Sequence, residues 1–296
     1  MRQKWFELPQ RTKGILAGLL SACFFAGYLV LNRYIYTRFD VDAVAYTLLF
    51  NAAGGIFAGL ALLPKDTRKK VHQLQRDKFW LMLLCALGLA GMFTLVIGQN
   101  YTTSIHASLL VTGSILSTML FSGIFLGEHV SQRQKIWVLA MFIGLYVGIV
   151  GLQSISLGFG DGLILIGVLF FGLGNVLSRH LMQKHDAQII PDVRVFAVGI
   201  VAAVTYMLWR PPIHIFSAVG AWTLLAGLFF WLTMRSFSAA VNAINANHAI
   251  VLVNAQIVPA SFAGILLLGE RYSWEKLLGS VIVLVSIYYI SWKGKE

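Results

Sequence analysis

Apolar stretches of roughly 20 residues recur between residues 14 and 292, and each is long enough as a helix to cross a hydrocarbon core of about 30 Å. Lipid offers the backbone no hydrogen bonds. A chain of this kind is therefore confined to helices that satisfy their own N–H and C=O groups. Composition agrees: of 296 residues, 58% are hydrophobic and only 12% charged, with a mean hydropathy of +0.76, far from a domain that must keep a wet surface. The pattern predicts spans at 14–35, 42–63, 79–99, 104–126, 135–152, 161–181, 193–209, 220–240, 246–268 and 275–292, ten helices in an all-α integral membrane fold. Breaks fall where breakers and charges cluster, as at Pro64-Lys65-Asp66, Pro191-Asp192 and Gly269-Glu270-Arg271. No connection is long enough for a soluble domain.

The net charge of +11 does not mark a nucleic-acid binder, because the basic residues sit in short connections between spans. With the N-terminus inside, eighteen Lys and Arg fall on the cytoplasmic side and five outside, namely Arg33, Arg38, Arg210, Arg271 and Lys276. That bias predicts both termini in the cytoplasm and a multi-pass protein of the cytoplasmic (inner) membrane. The basic lead Arg2, Lys4, Arg11 and Lys13 also suits a signal peptide, but the apolar run behind it is longer than a signal core and more spans follow, so the first helix is expected to stay. Cys23 and Cys85 lie in apolar spans as small hydrophobes.

The chain repeats itself. Ile105-His106-Ala107, an apolar helix and Leu126-Gly127-Glu128 recur 142 positions later as Asn247-His248-Ala249, an apolar helix and Leu268-Gly269-Glu270. Phe24-Phe25 and Arg33 match Phe170-Phe171 and Arg179 at a slightly larger offset. The expected halves are 1–152 and 153–296, with five helices each. An odd number inverts the second half, and inverted repeats place a substrate site near the midplane that rocking exposes to either side in turn.

The Leu-Gly-Glu that closes the fourth helix of each repeat, together with the helix count, resembles the EamA-like branch of the drug/metabolite transporter superfamily. The second repeat fits more closely: Pro259 stands eleven positions before Glu270, where the first repeat has Ser117. The resemblance implies that helices three, four, eight and nine, with one and six, line a cavity while five and ten pack at the side. It implies a secondary transporter that moves a small neutral or zwitterionic metabolite, amino acid-like or other, outward by alternating access. Import is the alternative within that class. A membrane-embedded enzyme is the alternative from another class, but the sequence shows no metal-spaced histidines, nucleophile motif or phosphate loop. No cofactor or metal is expected. The expected partners are the small-molecule substrate, the lipid bilayer and a coupling proton, and the chain is expected to be a monomer or weak homodimer. Gly54, Gly55, Gly59, Gly144, Gly148 and Gly151 are spaced for close helix packing, within the chain or through helix five.

The acidic residues all fall in loops or at helix ends, which argues against a carrier that depends on a membrane carboxylate. His106 and His248, at equivalent helix starts, are either a proton-coupling pair or polar interface residues. Arg235, inside helix eight, is either an anchor for a substrate carboxylate or a snorkelling cation. Polar residues within spans should turn inward: Tyr28, Asn32, Gln99, Asn100 and Thr112 in the first half, and Asn175, Ser178, Trp231, Asn245, Asn254, Gln256 and Ser261 in the second. Each is a candidate for substrate contact or for a bond between helices. Pro259 should kink helix nine, as a joint or a packing feature, and leave the Ala255 carbonyl free. Glu128 and Glu270 are expected to cap turns or pair with Arg133 and Arg271.

Overall fold

The computed structural model describes residues 9–127, 131–150, 158–209, 218–244, 249, 252–271 and 273–292. Every regular element among them is helical: α1 (Gln10–Arg38), α2 (Ala43–Leu62), α3 (Lys65–Leu74), a 3₁₀ turn (Gln75–Asp77), α4 (Lys78–Asn100), α5 (Ser104–Thr112) and α6 (Ser114–Leu126). There follow α7 (Gln132–Val150), α8 (Phe159–Met182), α9 (Ile189–Trp209), α10 (Ala218–Ile244), α11 (Ile257–Leu268) and α12 (Trp274–Trp292). Seven helical segments are long and apolar enough to cross a membrane, and Lys135–Gly148 and Leu252–Leu268 are shorter apolar helices.

Local chemistry sets the helix ends. The Asp42 carboxylate accepts the Ala45 N–H at 2.7 Å to start α2, and the Thr103 hydroxyl accepts the His106 N–H at 3.2 Å to start α5. Gly127 and Gly269 end α6 and α11 in the left-handed region, both at φ 64°, where a Cβ would be strained. α9 begins earlier than the sequence suggested. Pro191 occupies its first turn, where a proline's missing N–H would have no helical acceptor anyway, so Asp192 lies within the helix and is buried. The connection between α2 and α4 is itself ordered as α3, a short amphipathic helix that anchors Leu74 against Leu84, Leu177, Leu181 and Ile190.

The helices pair across the chain. α1 packs on α10, α2 on α9, α4 on α8 and α7 on α12. Glycines permit the closest crossings. A Cβ at Gly55 would sit 2.7 Å from the Gly199 Cα, and one at Gly279 would sit 2.5 Å from the Gly148 Cα. Gly144 and Gly148 thus serve packing within the chain, against α12. Tyr28, Tyr46, Phe50 and Phe230 fill the core between α1, α2 and α10. Outward faces keep Ile136, Leu139, Phe142, Leu208, Phe262 and Leu266 exposed, an arrangement that water would penalise and lipid accepts.

Gly199→Val should cost about 2–3 kcal/mol, because the new side chain meets backbone that cannot yield. Gly162→Ala, whose Cβ would meet nothing within 4 Å, should change stability by less than about 1 kcal/mol. Thermal unfolding of the detergent-solubilised protein checks both.

Candidate functional site

Two helices are interrupted at matching places. α5 gives way to α6 at Gly113, whose N–H donates three residues back to the Leu110 carbonyl at 2.9 Å. Exactly one repeat length on, at position 255, the same tightening recurs: the Ala255 N–H donates to the Leu252 carbonyl at 3.2 Å and the Gln256 N–H to that of Val253 at 3.1 Å. Pro259 lies just beyond the second break. The Ala255 carbonyl is not left free, as the sequence suggested, because the Val258 N–H reaches it at 3.1 Å. The first break needs no proline. Ser117, in the equivalent place, keeps its N–H on the Gly113 carbonyl and turns its hydroxyl to the Val168 carbonyl of α8 at 2.8 Å.

Around these breaks lie buried amides. Gln256 has no exposed surface, and neither end of its amide has a partner among the described residues. Asn254 is buried beside it. Gln99, equally buried, accepts from Asn32 Nδ2 at 2.8 Å, yet its own Nε2 is unpartnered among the described residues. Asn32 is held from the other side by the Tyr46 hydroxyl, which donates to its Oδ1 at 2.6 Å. An unpaired buried amide costs about 1–3 kcal/mol per group, so Gln256 and Gln99 are the places where a polar ligand or water gains most.

The remaining candidates separate by partner. Thr112 donates within its own helix to the Ser108 carbonyl, and Asn175 donates to the Thr118 hydroxyl at 3.2 Å. Tyr28 is enclosed by the rings of Phe25, Phe50 and Phe230. Ser178 is half-buried on α8. Asn100 lines a cleft of about 370 Å³ at the far end of α1, together with Tyr36, Thr37, Arg38, Phe39, Asp40 and Val41. The His106 ring is half-buried in the first turn of α5. Asn245 and His248, like Glu128 and Gly151, lie outside the described residues.

Arg235 has a protein carboxylate in place of the substrate group that the sequence suggested. Its Nη1 lies 2.6 Å from Asp192 Oδ2, with the guanidinium over the Trp231 ring at 5.5 Å. The Trp231 indole N–H completes the cluster, donating to Asp192 Oδ1 at 2.9 Å. Sequence reasoning missed Asp192, since Pro191 reads as a helix breaker and nothing local links residues 43 apart.

The two ends of the bundle are fastened differently. At one end the Glu270 carboxylate receives the Ser104 N–H at 2.9 Å, the Ser104 hydroxyl at 2.8 Å and the Ile105 N–H at 3.3 Å. It caps the start of α5, where a negative charge meets the positive end of the helix dipole, and does not depend on Arg271. At the same end Thr102 donates to Asp161 at 2.7 Å, and Arg33 donates to the Asn100 carbonyl at 3.0 Å. At the other end Lys70 pairs with Asp186 at 2.7 Å and His185 with Asp77 at 2.7 Å. The Lys70 ammonium holds the Asp186 carboxyl below the usual carboxylate range. The repeat-equivalent helix pairs also differ: α1 packs against α4, whereas α8 and α10 barely meet among the described residues.

A model of the EamA-like transporter family matches residues 12–150 and 158–292. The uncharacterized transporter YyaM of Bacillus subtilis is 20% identical over 254 residues, 80% of this chain and 80% of its own. An uncharacterized transporter of Archaeoglobus fulgidus is 22% identical over 263 residues, 86% of this chain and 90% of its own. One solved crystal structure superposes with a TM-score of 0.70 at 13% identity, over 94% of this chain and 96% of the other, so the fold is shared.

Asn32→Val strands the Gln99 carbonyl and the Tyr46 hydroxyl and should cost about 2 kcal/mol in thermal unfolding. Adding Gln99→Leu should recover part of that loss. The Lys70–Asp186 contribution has the sign of a lowered carboxyl pKa: complete above about pH 4, lost as the pH falls through the Asp186 value in the folded protein. The melting-temperature gap between the parent and Asp186→Asn should therefore exist at neutral pH, close in acid and shrink with salt.

Proposed function

Because the chain belongs to the EamA-like transporter family, and so is a multi-pass transporter of the cell membrane, we propose that it carries a small metabolite by alternating access around the two broken helices. The observation that carries this reading is the pair of interruptions at Gly113 and position 255, with the buried Gln256 amide, unpartnered among the described residues, at the second of them. Discontinuous helices at matching repeat positions are where carriers of this architecture hold substrate, because loosened backbone and polar side chains can replace a solute's hydration shell. Gln256, Gln99, Asn254 and Asn32 are the proposed contacts, with Pro259 beside the joint of the second break.

The 142-residue repeat, the two matched segments and the cross-chain pairing of helices support two inverted five-helix halves, 1–152 and 153–296, with ten spans. The charge bias supports cytoplasmic termini, which makes the Asp186 end cytoplasmic. The outer end is held by the α1–α4 bridge of Asn32 and Gln99, while the residues at the corresponding places of α8 and α10 are Ser178 and Val241, which cannot rebuild it. Export of a small neutral or zwitterionic, amino acid-like solute is the proposed direction, by likeness to the family. His106 and His248 are proposed to couple a proton, and the monomer to be sufficient.

Proteoliposomes loaded with a bacterial metabolite extract test the reading. One or a few small compounds should leave chemically unchanged, saturably and faster when the same compound is present outside. Gln256→Leu should slow that efflux by about tenfold, the loss of a single well-made polar contact. Efflux that ignores compound outside, or a Gln256→Leu protein that transports normally, would remove this site from the mechanism.

A further inference from the structure

We infer, on the footing of that transport reading, that Arg194 is an anion-binding residue that receives the carboxylate of the carried solute in a crevice between α4, α8 and α9. Its guanidinium lies in a slot made by two glycines. A Cβ at Gly88 would stand 2.6 Å from Arg194 Nε and 3.3 Å from Cζ, and one at Gly174 would stand 3.6 Å from an Nη. Both glycines are deep in their helices, Gly88 ten residues past the start of α4 and Gly174 eight residues before the end of α8, or about 12–15 Å from those ends. The side chain therefore runs inward, opposite to the snorkelling that would bring it to the head groups.

Among the described residues no carboxylate pairs with this charge. Arg235 has Asp192, Lys70 has Asp186 and Arg33 has two carbonyls, but no acceptor is bonded to the Arg194 guanidinium among the described residues. A cation at membrane depth is expensive unless it is paired or wetted. Arg194 as a whole keeps part of its surface exposed. Cys85, one turn before Gly88 on the same helix α4, is also partly exposed. A guanidinium offers paired donors that match a carboxylate, and equally a phosphate. The depth of the slot favours a solute over a lipid head group as the source.

Cys85 serves as the reporter, since Cys23→Ala leaves it the sole cysteine of the full chain. In phosphatidylcholine proteoliposomes the anionic sulfonatoethyl methanethiosulfonate should modify Cys85 about tenfold faster than the cationic trimethylammonioethyl reagent, as a local positive field requires. Arg194→Gln should bring that ratio to about one, and Arg194→Lys should keep it within about threefold. A mixture of the proteinogenic amino acids and 2-oxo acids should slow the reaction, and the corresponding amides should not. A parent ratio near one, a ratio indifferent to Arg194→Gln, a Cys85 inert to both reagents, or no protection by any acid overturns the inference. Protection that appears only when phosphatidylglycerol replaces phosphatidylcholine assigns the site to lipid phosphate and overturns it as well. None of these readouts needs flux, so a protein that keeps the ratio and the protection but moves no solute refutes the transport reading alone.

Discussion

Hydrocarbon cannot accept or donate a hydrogen bond, and every polar choice in this bundle answers to that fact. Asn32 is held from both sides by Gln99 and Tyr46. Asp192 is claimed by Trp231 and Arg235, and the Glu270 carboxylate collects three donors at the start of α5. Beside these paired groups, an amide with both ends unpartnered among the described residues and a guanidinium in a glycine slot stand out. In a wet interior they would be unremarkable; in a lipid-embedded one each carries a cost that a bound polar group or water would relieve.

The all-helical, membrane-spanning character was legible in the sequence because the bilayer imposes one length scale, and roughly 20 apolar residues between charged breaks satisfy it without reference to tertiary structure. Boundaries were less secure where a residue has two meanings. Pro191 breaks a helix in its interior but suits its first turn, so α9 begins at Ile189 and carries Asp192 into the bundle. The α3 segment is charged enough to read as a loop, yet its apolar residues fall on one face and seat Leu74 in a small core.

The candidate site was legible as a set of residue types but not as a set of pairs. That Asn32, Gln99, Asn254 and Gln256 turn inward follows from the cost of an amide in lipid. Which of them are already satisfied does not, because the partners are 67 residues apart for Asn32 and Gln99 and 43 apart for Asp192 and Arg235. The break at Gly113 was hidden for a related reason: Ser117 carries no warning of it, and the hydroxyl that accompanies the bend bonds to another helix.

The Leu-Gly-Glu at the end of α11 has a mechanical reading. Gly269 takes a left-handed turn, and the next N–H, that of Glu270, returns to the Gly264 carbonyl at 3.1 Å, so the acid is aimed by backbone geometry and not by a freely rotating tail. Its target, the first turn of α5, is 166 residues away. A tripeptide thus works as a clasp with a preset angle, and the stiffness of one closing turn is what fastens two distant stretches of the chain at that rim.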